Sequence, residues 1–288
     1  MPIFRQSISI QMKEQKVILV TGGSSGIGFD CAKLLSSRGH KVYAAARRME
    51  KMEPLKEYGV TSLKLDVTDE ESISGCVQQV LDSEGRIDVL VNNAGYGYFG
   101  PVETTPMEDA RRQMEVNVFG LASMCKAVLP SMRERGSGRI INISSIAGKT
   151  VLLYGAWYHV SKYSVEAFSD ALRMEMKPFG IDVVLIEPGG INTDWGLIAA
   201  DHLTDSSKGT AYEESAEKEA AIFRMAYGGN FLSSPKVIAN AVRRGAESRH
   251  PKARYRRGAG AGSMVFLHWL LPAKWWDAIV RWVCSLSL

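Results

Sequence analysis

Residues 16–28 read Lys-Val-Ile-Leu-Val-Thr-Gly-Gly-Ser-Ser-Gly-Ile-Gly. Five of the first six residues are apolar or β-branched, which predicts a short strand over Lys16–Thr21 buried on both faces. The glycines at 22, 23, 26 and 28 let the chain turn tightly into a following helix. The unpaired N–H groups and partial positive charge of that helix's first turn favour an anion. The spacing is G-x-x-x-G-x-G, not the G-x-G-x-x-G of the common dinucleotide fingerprint. No Gly-Lys-Ser/Thr follows, which excludes a P-loop. A plain strand–helix turn needing positive φ is the competing explanation. The position directly after the first apolar strand favours a nucleotide, with Gly22, Ser24, Ser25, Gly26, Ile27 and Gly28 as the candidate cradle.

Working outward, the same pattern of apolar run followed by helix recurs. Strands are expected at 41–46, 62–67, 87–92, 139–144 and 181–187, with helices near 29–38, 73–83, 107–130 and 158–177. Alternating βα units of this length predict an α/β fold, a single-domain Rossmann doubly wound parallel sheet with helices on both faces. The chain of 288 residues divides into an N-terminal extension (1–15, with Met12 an alternative start), a main domain (16–260) and an apolar C-terminal helical segment (261–288). Within the main domain, 194–230 turns rich in Ser, Gly, Glu and Ala and reads as a substrate loop or lid. With 45% hydrophobic residues the chain has material for a large core, and a net charge of +4 is too mild for a nucleic-acid binder. The scattered cysteines Cys31, Cys76, Cys125 and Cys284 form no metal-spaced cluster and read as small core residues in a reducing cytoplasm.

The end of the second strand selects among dinucleotides. An NAD site calls for an acidic residue there to hold the ribose 2′-OH. Here the strand runs Ala44-Ala45-Ala46-Arg47-Arg48, and a guanidinium pairs instead with a 2′-phosphate. The expected cofactor is therefore NADP(H), with Arg47 the favoured contact and Arg48 in support. A pair of solvated arginines is the blander account.

Tyr158 and Lys162 form Tyr-x-x-x-Lys on an expected helix, so their side chains share one face. Alone the pattern is common. Its company makes it specific: Ser145 thirteen residues earlier, Asn92-Asn93-Ala94-Gly95 ending the fourth strand, Asn117 in Val-Asn-Val, and Pro188-Gly189 ending the sixth. With these in order over about 16–260, the chain resembles the short-chain dehydrogenase/reductase family. A weaker likeness is to its hydroxysteroid and retinol dehydrogenase and acyl-dihydroxyacetone-phosphate reductase subgroup. The resemblance implies that Tyr158 is the general acid/base and that Lys162 holds the nicotinamide ribose and lowers the tyrosine pKa. It further implies that Ser145 orients the substrate oxygen and Asn117 fixes a proton-relay water. Asn93, Ala94 and Gly95 would line the cofactor cleft, Asp66 and Val67 flank adenine, and Pro188, Gly189, Ile191 and Thr193 meet the nicotinamide end. No metal is required.

Tyr96, Tyr98 and Phe99 are candidates for the floor of an apolar pocket, and Tyr154, Trp157 and Gly190 for substrate contact, although Tyr154 and Trp157 suit core packing equally. His159, one position from Tyr158, is turned about 100° away on a helix and reads as a bystander, as does Ser144. Four of the six tryptophans lie in the last twenty residues. A helix closing the substrate lobe is favoured there over an interfacial helix resting on a membrane through 264–284. Pro272, Lys274, Asp277 and Arg281 exclude a spanning helix. The basic run Arg243–Arg257 could attract an acidic or phosphorylated partner, but a solvated face is the commoner explanation. The expectation is thus an NADP(H)-dependent oxidoreductase, interconverting a lipophilic carbonyl and an alcohol. Its long helices suit a homodimer or homotetramer, and its expected setting is cytoplasmic, with peripheral membrane contact through 264–284 as the alternative. The alternatives are a non-catalytic NADP(H)-sensing or membrane-associated module and a sugar epimerase.

Overall fold

A seven-stranded, wholly parallel sheet organises the chain, with strand order β3-β2-β1-β4-β5-β6-β7. In the computed structural model, which describes residues 14–229 and 231–285, the elements run as follows. β1 (Val17–Thr21), α1 (Gly26–Ser37), β2 (Lys41–Ala46), β3 (Thr61–Lys64), α2 (Glu70–Glu84) and β4 (Val89–Asn92) form the first half. α3 (Met107–Met114), α4 (Gly120–Glu134), β5 (Gly138–Ile143), α5 (Ala156–Met176) and β6 (Ile181–Pro188) follow. α6 (Trp195–Ser207), α7 (Glu213–Gly228), α8 (Lys236–Glu247), β7 (Arg254–Arg257), α9 (Ala261–Leu270) and α10 (Ala273–Ser285) complete it. The readings placed on residues 1–13, and on the side chain of Cys284, fall outside what is described.

Alternation along each strand divides the core in two. Ile18 and Val20 of β1 face α1 and α8, packing with Cys31, Leu35, Ile238 and Val242. Val17 and Leu19 face the other way, toward Val77 of α2, Met124 of α4 and Val165 of α5. Every β1 side chain is buried, which is why the run carries no polar alternation. Local chemistry sets the ends: the Asp69 carboxylate caps α2 by accepting from the Glu71 N–H, and Gly85 closes that helix in the left-handed region. Strand order reverses between β1 and β4, so the crevice at their carboxyl ends is where ligands of such sheets bind.

Three expectations need correction. The strand expected at 62–67 stops at Lys64, and Leu65 and Val67 are buried in the loop beyond it. The segment read as a substrate loop or lid is built as a helical hairpin, α6 (Trp195–Ser207) and α7 (Glu213–Gly228). Small residues, Ala199 and Ala200 against Ala216 and Ala220, let the two helices approach closely around Leu203. The end of the basic run is not simply a solvated face: Arg254–Arg257 is the seventh strand, paired with β6, and only Arg257 of it is exposed. Arg254 and Arg256 are drawn in by a buried carboxylate, since Glu187 lies 3.1 Å from Arg254 Nε and 2.7 Å from Arg256 Nε. Arg254 also meets Glu166 and Asp170. A buried acid so paired turns a basic segment into sheet.

Candidate active site

The glycine turn is held from below by β4. The Asn93 amide donates to the carbonyls of Thr21 and Gly22, both at 3.1 Å, and Thr21 Oγ1 accepts from the N–H groups of Asn93 and Ala94. Gly28 must lack a side chain, because a Cβ there would sit 2.3 Å from the Gly22 carbonyl oxygen. Gly22 and Gly26 adopt φ of 68° and 55°, as the turn demands. Ser25 stands at the N-cap of α1 but makes no side-chain cap, and the first turn carries no acidic residue. The N–H groups and positive end of α1 are thus uncompensated, which suits a pyrophosphate. The Gly26 position points at Thr193 Cγ2, 3.3 Å from where its Cβ would be, so the segment after β6 forms the opposite wall.

Arg47 and Arg48 are exposed at the end of β2. Arg48 Nη2 donates to Ser24 Oγ at 3.3 Å, placing one guanidinium directly beside the turn. Asp66 holds its carboxylate in a local turn, accepting from the N–H and hydroxyl of Thr68. Burial opposes its ionisation, but those bonds and the charges of Arg47 and Arg112 prevail, and its pKa falls below the usual value. Val67 is buried against Gly120.

At the other end of the crevice the expected quartet converges. Ser145 follows β5 and caps a single turn over Ile146–Gly148, its Oγ accepting from the Ala147 N–H at 3.1 Å. Tyr158 and Lys162 lie on the inner face of α5, both buried. Lys162 Nζ donates to the Ile143 carbonyl at 3.0 Å and lies 5.9 Å from the Tyr158 ring centre. Asn117 sits in a π-helical turn, Glu115–Phe119, between α3 and α4. Its Oδ1 accepts from the Tyr96 N–H, and its Nδ2 donates to the Tyr96 carbonyl and to Ser161 Oγ. The amide is therefore committed to fixing the loop after β4 against α5. Gly95 completes the group: a Cβ there would lie 3.0 Å from Asn117 Oδ1 and 4.0 Å from Lys162 Nζ.

Burial governs the protonation states. It pushes the Tyr158 phenol up to about 12, with the Ser145 hydroxyl acting in the opposite direction. It pulls the Lys162 ammonium down to about 8, against the attraction of Glu166 one turn further on. Desolvation dominates the phenol, the Ser145 hydroxyl is the group that lowers it, and one Lys162 N–H is engaged by the Ile143 carbonyl.

Above the phenol stands an aromatic cluster that the sequence left scattered. Trp195, the first residue of α6, tilts over Tyr158 with ring centres 5.0 Å apart. Its indole lies so close to Gly97 that a Cβ there would meet Trp195 Cζ2 at 2.4 Å. Phe99 underlies both rings, at 5.7 Å from each, and Phe223 and Tyr227 of α7 close the group. Tyr227 lies against Gly196, where a side chain would collide with its ring. Tyr158 is left only 8% exposed. Phe99 is thus the floor, whereas Tyr98 stacks on His202 and the Tyr96 phenol shares its surroundings with Arg112, Asp109 and Arg47 at the basic end.

The remaining candidates separate. Tyr154 has φ of 57°, uncommon for a bulky residue, and its hydroxyl meets Ser215 Oγ at 2.5 Å, tying the loop before α5 to α7. Gly190 is a crossing point: its N–H and carbonyl bond Ala259 and Ser233, and its open side faces Leu232. Ile191 buries its side chain in the core, so only its backbone faces the crevice. His159 bridges the Ala147 carbonyl and the Leu152 N–H, a structural role. Ser144 is buried, its hydroxyl without a hydrogen-bond partner.

The family model described as "short chain dehydrogenase" matches residues 16–199, which contain the glycine turn and all four clustered polar residues. The chain belongs to the short-chain dehydrogenase family. Among similar members, a probable short-chain type dehydrogenase/reductase of Helicobacter pylori is 36% identical, covering 92% of this chain and 96% of that protein. The 3-ketodihydrosphingosine reductase of Bacteroides thetaiotaomicron is 40% identical, covering 82% and 80%. A solved serine dehydrogenase, complexed with NADP+ in a closed form, superposes with a TM-score of 0.73 at 28% identity over 84% of this chain and 94% of that one. This short-chain dehydrogenase is accordingly an oxidoreductase by family.

Proposed function

We propose that this protein uses NADP(H) to interconvert a carbonyl and an alcohol on a lipophilic substrate, with Tyr158 as the general acid/base. The observation that carries the reading is the convergence of Ser145, Tyr158 and Lys162, with Asn117 behind them, at the carboxyl ends of β4 and β5. The uncapped, acid-free start of α1 supports a dinucleotide pyrophosphate, and the Arg47–Arg48 pair supports NADP(H) over NAD(H). A family member solved with NADP+ supports the same choice.

The bound cofactor supplies the hydride. The chain's own residues handle the oxygen. A phenol held near 12 by burial keeps its proton at neutral pH, as an acid for carbonyl reduction must. As negative charge grows on the substrate oxygen, Tyr158 donates that proton and the Ser145 hydroxyl donates a hydrogen bond. Lys162 is in reach of the cleft under Gly95 and is assigned to the nicotinamide ribose. Asn117 is a positioning residue, holding the Tyr96 backbone and Ser161 in register. Phe99, Trp195, Phe223 and Tyr227 exclude water and favour an apolar substrate, consistent with a relative named for a long-chain ketone. Since Trp195 covers the phenol, substrate entry requires the α6–α7 hairpin to shift. Exposed Phe119, Val160 and Tyr163 near α4 and on α5 support pairing of subunits across these helices. The test is NADPH consumption by the purified protein across long-chain ketones, steroids and retinoids. Consumption with at least one class supports the reading, and turnover of a sugar nucleotide without net consumption overturns it.

A further inference from the structure

Helices α9 and α10 carry their apolar side chains on the outside. α9, Ala-Gly-Ser-Met-Val-Phe-Leu-His-Trp-Leu, contains no Asp, Glu, Lys or Arg, and of its residues only Ala261 is buried. Phe266, Leu267, Trp269 and Leu270 are exposed, Trp269 to 76%. α10 has three faces. Trp276 and Val280 turn inward, and Trp276 is pinned by its Nε1–H to the Val151 carbonyl at 2.8 Å and by an edge contact with His268. Lys274, Asp277 and Arg281 form a charged stripe at i, i+3 and i+7. Between these faces Trp275, Ile279 and Trp282 form an exposed apolar stripe at i, i+4 and i+7, with Trp275 65% exposed. The buried Trp276 anchor shows that the pair is seated on the protein, so the outward apolar faces are a built feature. The sequence favoured lobe closure for this segment, and only the Trp276 face does that.

We infer that the α9–α10 pair is a docking surface for an anionic phospholipid membrane, lying in the interface without crossing it. Two helices of 10 and 13 residues are too short to span a bilayer, and among the described residues no helix is long and apolar enough to do so. Charge decides the occupant. From 257 to 283 the exposed charges are Arg257, Lys274 and Arg281 against the single Asp277. Arg257 also lines an open concavity of about 470 Å³ with Arg243, Arg244, His250 and Lys252, in which the one acid, Glu247, is paired with Arg243. Cations beside an apolar stripe suit lipid headgroups over acyl chains, and tryptophan partitions to the level between them. This surface stands apart from the reaction proposed above and does not depend on it.

The test is flotation of the full chain with vesicles of phosphatidylcholine alone, or with about one third phosphatidylserine. Binding is expected to the mixed vesicles, and to weaken when salt is raised to about 0.5 M. Trp269→Ser with Trp275→Ser should lower vesicle binding roughly tenfold or more, with an unchanged melting curve because both side chains are exposed. Lys274→Glu with Arg281→Glu should lower binding to the mixed vesicles selectively. No flotation with either composition overturns the proposal, as does binding indifferent to the tryptophan pair. A dimer in light scattering that these same substitutions dissociate also overturns it, by making a second copy the occupant.

Discussion

Replacing Lys162 with methionine should remove a stability cost whose size depends on pH. Burial holds this ammonium near 8 in the folded chain against its ordinary 10.5. A group depressed in this way opposes folding fully below the folded value, and the opposition fades as pH rises toward the unfolded value. Between pH 7 and pH 10 the wild type should therefore gain roughly 2–3 kcal/mol from this residue alone, at about 1.4 kcal/mol for each pKa unit. Lys162→Met has no such gain. It also loses the bond to the Ile143 carbonyl, a penalty of roughly 1–3 kcal/mol that is the same at every pH. Other titrating groups are common to both proteins and cancel in the difference. The assay is urea unfolding of both proteins at several pH values across this range. The stability of Lys162→Met relative to wild type should fall by roughly 2–3 kcal/mol from pH 7 to pH 10. A difference independent of pH, or one growing in the variant's favour, would refute a desolvated ammonium at this position.

Two other outcomes follow from the crevice. Arg47→Asp combined with Arg48→Gln should weaken NADPH by about tenfold or more, the worth of a charge-assisted phosphate pair, and leave NADH within a few-fold. Titration by cofactor fluorescence checks it, and equal loss for both dinucleotides would count against phosphate recognition. Gly97→Ala places a methyl where the Trp195 indole now lies, so the ring must move off Tyr158. Its kcat/KM ratio for bulky over short ketones should change by about tenfold, and Trp195→Ala should shift it in the same direction. Opposite shifts in the two variants would break the link between that contact and substrate choice.

The parallel sheet was legible because its strands are buried on both faces and show as unbroken apolar runs, as in Val17–Thr21. The quartet was legible because Ser145 follows a strand end, Tyr158 and Lys162 stand at i, i+4 on one helix, and Asn117 lies in a Val-Asn-Val run, which the structure places in a π-helical turn. Other parts resisted for physical reasons. β7 reads as basic surface until Glu187, 67 residues earlier than Arg254 in the chain, is seen buried beneath it. The α6–α7 hairpin packs through alanines, which leave no strong apolar stripe, so its composition suggests a loop. Trp195 becomes a roof over Tyr158 only through that hairpin. Gly97, whose missing side chain makes room for the indole, was the one available signal, and it looked like any loop glycine. Motif spacing places an ammonium near the phenol but does not convey the burial that raises the tyrosine pKa.

The most direct test of the account is Tyr158→Phe, which removes one oxygen and keeps the ring that packs on Phe99 and Trp195. Single-turnover hydride transfer from NADPH to an accepted ketone should fall by about 10²-fold or more, with NADPH affinity and the melting curve nearly unchanged. Hydride transfer at the wild-type rate in that variant would contradict proton donation by Tyr158.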